Sequence, residues 1–265
     1  MNDGTGWSWE AMIAEFRRLG GSADNLRPGT GPFGRGLFAI DPARPVRLHV
    51  PPALLVPTDF LVARDDRLTI RPDAPVDPAL RAFVERYEAN FSFGAGAAAD
   101  CRAMLAARAS LPAPIRAHID AILPPDPDRF APPDDARVLR HFVATRAATP
   151  KGGSYLMPVA ELINHGIERA PFDMRDGVRI EGRFENEILV RYGMGDAWEM
   201  FLVHDAAIAQ PVAFSMRFGC RTAQGRQIRV LRDFETARRL GDLPAPTVEN
   251  RDDALVLSHL MLGNR

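Results

Sequence analysis

Lysine is almost missing from this chain. Lys151 is the single lysine, so the remaining cations among the 33 Lys and Arg are arginine. A coding bias towards arginine accounts for this more simply than selection for forked contacts to phosphate. Charge of one sign is not in excess either. The formal net charge of −1 removes any whole-molecule electrostatic case for nucleic acid or an anionic membrane as a partner. The two cysteines, Cys101 and Cys220, stand far apart with no CxxC, which excludes a disulfide framework and a thiolate zinc cluster and fits a reducing cytoplasm. No apolar run approaches the roughly 20 residues a membrane span needs. The opening MNDGTGWSWEAMIAEF carries acids and lacks a basic region followed by an apolar stretch, so the expectation is a soluble cytoplasmic protein with no leader. Tyrosine is scarce too: only Tyr87, Tyr155 and Tyr192 could lend a phenol to chemistry.

What is present is a foldable chain. Its 265 residues, 46% hydrophobic, are enough to bury a core. Trp9, Met12, Ile13, Phe16 and Leu19 recur at helical spacing and stop at Gly20 and Gly21, which predicts an amphipathic helix. GPFGRGLFAI and then VRLHVPPALLVP read as strand, turn and strand, with Val46, Leu48 and Val50 alternating with arginine and histidine. From about 75 to 148 the pattern is alanine-rich and helical, with Asp77–Pro78 and Asp134–Asp135 as N-terminal signals. From 153 onward short strands return in SYLMPVAEL, GVRIEGRF, EILVRYG, PVAFSMRF and RQIRVLRDF. A final helix is expected near ALVLSHLMLG.

Helices between two β-rich stretches, without an alternating βαβ rhythm, argue for an α+β fold and against a doubly wound nucleotide-binding sheet. Gly31, Gly34 and Gly36 do not fit GxGxxG, and no helix follows them; alone they read as a tight turn before a strand. The Asn164–His165 pair closes an apolar run in MPVAELINHGIERAP. Such a pair is either a satisfied structural corner or part of a ligand site.

Four segments in order, GRGLFA (Gly34 to Ala39), TRA (Thr145 to Ala147), PVAELINH (Pro158 to His165) and ILVRYGMGDAWEMFL (Ile188 to Leu202), resemble the SET-domain methyltransferases. The likeness is nearest to the branch containing the Rubisco large-subunit lysine methyltransferase, in which helices are inserted between the two halves of the domain. It implies short β-sheets with a knot-like C-terminal part. The SET-like domain would span 1–206, split by a helical insert at about 75–148, and a short extension of strands and a terminal helix would follow at 207–265. It also implies S-adenosylmethionine as cofactor. Backbone groups around Gly34, Arg35, Gly36 and Leu37 would approach it, Thr145 and Arg146 would hold its carboxylate end, and Glu161, Asn164 and the backbone of His165 would complete its site. The Tyr192 hydroxyl would sit where the methyl group meets the acceptor nitrogen.

The chain departs from that branch where a Tyr–Gly–Phe segment is common. Here LVHDAA places His204, Asp205 and Ala206 at those positions, so His204 becomes a second catalytic candidate. Three readings stay open: an N-methyltransferase acting on a protein lysine or histidine, a related enzyme acting on a small-molecule amine, and a SET-like binding module without transfer. No metal is implied, and the oligomeric state is not indicated.

Overall fold

A computed structural model describes residues 7–122, 126–149, 152–166, 169–192, 197, 200, 204, 212, 213, 217–231, 233, 244–251 and 253–263. The chain divides into two compact units, Met1–Ala103 with Pro133–Tyr192, and Met104–Pro132 with Gly193–Arg265. Helices and small sheets are mixed in an α+β arrangement.

In the first unit, helix α1 (Trp9–Arg18) starts where the Ser8 hydroxyl accepts the Ala11 N–H at 3.2 Å. It buries Met12, Ile13 and Phe16, the face its sequence spacing predicts. Strands β1 (Ser22–Asp24), β2 (Leu26–Gly31), β3 (Gly34–Ala39), β4 (Val46–Val50), β5 (Val56–Pro57), β6 (Leu61–Arg64) and β7 (Arg67–Ile70) follow. Then come α2 (Pro78–Phe91), α3 (Ala98–Ala109), α4 (Ala113–Ile122) and α5 (Asp135–Arg146); α4 and the part of α3 from Met104 onward belong to the second unit. The first unit closes with β8 (Tyr155–Leu156), β9 (Asn164–His165), β10 (Val178–Gly182) and β11 (Leu189–Val190).

Strand β4 is central to an antiparallel sheet of order β1-β4-β10, with Leu48 opposite Ala23 on one side and Ile180 on the other. Val46, Leu48 and Val50 are buried, while Arg47 is exposed and His49 half-buried, as a period of two requires. Helix α2 packs a continuous stripe. Asp77 caps it by accepting from Ala79 and Leu80 N–H at 2.8 and 3.1 Å, and Pro78 occupies its first turn. Leu80, Phe83, Val84 and Tyr87 are buried behind that cap. Phe83 lies between Trp7, Phe16 and Tyr87, with ring centroids 6.0, 6.1 and 6.1 Å away. Helix α5 repeats the device, with Asp134 accepting the Arg137 N–H at 2.8 Å and Val138 and Phe142 buried one turn apart.

Two features differ from the sequence expectation in this unit. The hairpin β6–β7 is not among the elements read from sequence. Its turn is made by Asp65 and Asp66, both at positive φ (50° and 56°), a two-residue connection that suits strand twist and tolerates aspartate. The stretch SYLMPVAEL, expected as one strand, is extended only at Tyr155–Leu156 and then turns into a single 3-10 turn, Ala160–Leu162. Val159 makes the reversal at φ 71°, ψ −49° while fully buried. That is a rare conformation for a β-branched residue, and it stores about 1–3 kcal/mol of strain.

The second unit carries α4 and the strands β12 (Val212–Ala213), β13 (Phe218–Arg221), β14 (Gln227–Val230), β15 (Val248–Asn250), β16 (Ala254–Leu257) and β17 (Leu262–Gly263). A four-stranded sheet runs β13-β14-β16-β15, with β14 and β16 parallel. The expected terminal helix is therefore corrected to strand. ALVL alternates buried Ala254 and Val256 with half-buried Leu255 and Leu257, a two-residue period that neighbouring strands on both sides select over the helical one. His259 is fully buried behind this strand, bonded through Nε2 to the Pro244 carbonyl at 3.0 Å and through Nδ1 to the Ser258 hydroxyl at 3.1 Å. Among the described residues, no helix is long and apolar enough to cross a membrane.

Candidate active site

The site is assembled where the glycine turn meets the Asn–His pair. Gly34, at φ 86°, turns the chain into β3, a conformation only glycine adopts cheaply. Strand β9 pairs in parallel with β11, and the Leu37 carbonyl of β3 accepts the Ile188 N–H at 2.8 Å. Asn164 ties these strands together: its Nδ2 donates to the Arg35 carbonyl at 3.0 Å and to Glu187 Oε1 at 2.7 Å. Both partners are acceptors, which fixes the orientation of the amide. A Cβ on Gly36 would lie 2.7 Å from Glu187 Oε1 and 2.8 Å from Asn164 Nδ2, so the bare glycine makes room for this tie. The Arg35 side chain reaches the other way, donating to the Ala95 carbonyl at 2.5 Å and standing 3.8 Å from Asp100.

Beside this junction lies a buried charge cluster. Arg146, half-buried, follows Val138 and Phe142 along one face of α5, with its guanidinium 5.4 Å from the Phe142 ring centroid. One terminal nitrogen of the guanidinium donates to the Glu161 carbonyl at 3.3 Å. Burial disfavours its charge, but Glu161, Tyr192, Cys101 and Tyr87 together outweigh this and hold its pKa above the ordinary value. Glu161 is 2% exposed and accepts the Tyr87 hydroxyl at 2.8 Å. Burial raises the Glu161 carboxyl, with Arg146 opposing. Glu88, 0% exposed, accepts the Phe93 N–H at 3.3 Å. Burial pushes its carboxyl well above the usual range, and the neighbouring Glu161 adds to the push. Thr145 is bonded within its own helix, to the Phe142 carbonyl at 3.0 Å.

His165 and Tyr192 form the third part. His165 Nδ1 accepts the Tyr192 backbone N–H at 3.2 Å, which places the ring proton of the neutral imidazole on Nε2. Burial lowers the His165 pKa, and Arg191 adds to the effect. The two rings meet edge to face at 5.4 Å, and Phe172 stacks on Tyr192 at 6.4 Å. The Tyr192 hydroxyl donates to the Ile163 carbonyl. Burial pushes the phenol up to about 12, so it is neutral at any physiological pH.

Compared with known proteins, the chain matches no family model and no curated sequence. Among solved structures it is similar to the SET domain of LSMT bound to lysine and AdoHcy. The alignment has a TM-score of 0.40 and 12% identity, and covers 82% of this chain and 62% of that one.

The first unit thus brings together Gly34, Arg35, Gly36, Leu37, Arg146, Glu161, Asn164, His165 and Tyr192, with Thr145 beside them. His204 falls outside the first unit. It is half-buried, in helical conformation, and belongs to the second unit; Asp205 and Ala206 lie outside the described residues. Glu88 and Glu187 were not singled out from sequence, and Tyr87 was named there only as one of three available phenols. Tyr87 and Glu88 sit at the end of the buried stripe of α2, and a carboxylate four residues after Val84 on an apolar face was the available signal. Glu187 has no such signal, since only the fold brings it beside Asn164. Several polar atoms here have no partner among the described residues: Arg146 Nε, Glu161 Oε2, Glu88 Oε1 and His165 Nε2. Buried polar atoms are seldom left so, and a buried acid and base that each keep an unpartnered atom suit a zwitterionic amino-acid group.

Proposed function

We propose that this chain is an S-adenosylmethionine-dependent N-methyltransferase that transfers a methyl group in line to an amine nitrogen, on a protein lysine or histidine side chain. The observation that carries the reading is the Arg146–Glu161 pair beside Tyr192, in which Nε and Oε2 are buried atoms with no hydrogen-bond partner among the described residues. Such a pair fits the amino-acid end of the cofactor: a guanidinium for the carboxylate and a carboxylate for the ammonium. The backbone of Gly34 to Leu37, the Asn164–His165 strand and Thr145 would complete the binding surface. His204 is assigned to the acceptor side on the sequence resemblance.

S-adenosylmethionine, when bound, supplies an electrophilic methyl group on a sulfonium. The chain's part is to position the acceptor, exclude water and present oxygen atoms compatible with that positive charge. Tyr192 does the last of these as a neutral phenol, because its proton is committed to the Ile163 carbonyl. It cannot serve as a base near neutrality. An amine in apolar surroundings has a lowered pKa and sheds its proton to water before it attacks.

Two experiments test the reading. Calorimetric titration with S-adenosylmethionine and S-adenosylhomocysteine is expected to show saturable one-site binding of each, and absence of both would remove the methyltransferase reading. A cell lysate incubated with tritiated-methyl cofactor and resolved by size is expected to carry label on protein. Label confined to the low-mass fraction would make the acceptor a small-molecule amine instead.

A further inference from the structure

The acid cluster behind Arg146 holds one donor too few. Among the described residues, Glu88 Oε1, Ser92 Oγ and Glu161 Oε2 are all buried and without a partner of hydrogen-bond geometry. Yet the Ser92 hydroxyl stands within reach of both carboxylates. A serine hydroxyl donates once. If both acids are ionised, Ser92 can serve only one of them, and a buried carboxylate oxygen stays unsatisfied beside a second negative charge. One added proton resolves all three atoms together. A protonated Glu88 donates to Ser92 Oγ, and Ser92 O–H donates to Glu161 Oε2.

We infer that Glu88 is held protonated in the folded chain and acts through Ser92 as a positioning residue for the Glu161 carboxylate. The surroundings decide which acid carries the proton. Glu161 accepts the Tyr87 hydroxyl and has Arg146 and Arg35 acting on it, so it remains the anion. Glu88 has a backbone N–H at 3.3 Å and the Arg146 charge as its weakest influence. The groups around the cluster are Tyr87 on α2, Ser92 after it, Arg146 on α5, Glu161 on the 3-10 turn and Arg35 on β3, with Cys101 of α3 acting on Arg146. The relay leaves one net negative charge against Arg146, instead of two. That this serves cofactor binding rests on the function proposed above; the protonation does not.

The test is infrared spectroscopy of the full chain, without cofactor, at neutral pH, where exposed carboxyls are ionised. The wild type is expected to show the C=O stretch of a protonated carboxyl. The band should be lost in Glu88→Gln and kept in Glu161→Gln. A wild type with no such band, or a band that survives Glu88→Gln and disappears in Glu161→Gln, overturns the inference. Ser92→Ala provides a second arm: the band should shift as its hydrogen-bond acceptor is removed, and an unshifted band overturns the relay. In the same variant, S-adenosylhomocysteine affinity should fall about tenfold, the size of a lost bond to a charged group. A wild type that shows the band but binds no S-adenosylhomocysteine would remove the cofactor reading and leave the protonated Glu88 standing.

Discussion

At the scale of single residues, the site separates groups whose polar atoms are bonded within the fold from groups that keep a buried polar atom unpartnered among the described residues. Asn164 and Gly36 are of the first kind, because the amide of one fills the space that the other leaves. Gly36→Ala is therefore expected to break the tie between β3 and β9, costing about 1–3 kcal/mol in denaturant unfolding. An unchanged midpoint would show that Glu187 and Asn164 can move aside. Arg146 is of the second kind. Arg146→Ala should weaken S-adenosylhomocysteine binding by about 1.5–3 kcal/mol, read by calorimetry, and equal affinity would remove it from the site. Tyr192→Phe keeps the ring between His165 and Phe172 but removes the hydroxyl held at Ile163. It should slow methyl transfer while cofactor affinity stays close to that of the wild type. Equal turnover would take the phenol out of the mechanism. Arg146, Asn164 and Tyr192 were legible in sequence because they sit in ordered motifs. Glu187 was not, since its role exists only once β3 and β9 are adjacent.

At the scale of elements, helices were read more reliably than the strands around them. The apolar stripe of α2 and its Asp77 cap are local signals, and the helix begins where they place it. Asp77→Ala is expected to cost about 1 kcal/mol of stability by chemical denaturation, as two first-turn N–H groups lose their acceptor. Glu88 escaped the same reading because charged residues on helices are ordinarily assigned to the solvated face, and only its register with Leu80, Val84 and Tyr87 betrays it. Strand errors had non-local causes. ALVLSHL carries enough aliphatic residues for a helix, and pairing with β14 and β15 decides against it. In MPVAEL the backbone of Val159 turns the chain against its own preference, so neither propensity nor pattern could foresee the 3-10 turn that presents Glu161.

At the scale of the whole molecule, two buried groups give stability opposite dependences on pH. The folded chain holds a proton on Glu88 that the unfolded chain releases above the ordinary glutamate value of about 4.3. That contribution is complete below this value and is lost as pH rises through the raised pKa of the folded state. His165 acts in the other direction. Its folded pKa lies below the ordinary histidine value of about 6.5, so its contribution is present above that value and lost as pH falls through the lowered one. Protonation of His165 also has a local consequence. Nδ1 would become a donor, so the Tyr192 N–H that it now accepts would be left without it. Acidification should therefore loosen the strand end that carries the Tyr192 phenol. His165→Gln, which offers a neutral acceptor at all pH values, is expected to flatten the acid-side loss of stability in unfolding titrations and leave the alkaline-side loss in place. If the variant retains the wild-type acid slope, some other group takes up that proton, and the coupling between His165 and Tyr192 has no part in it.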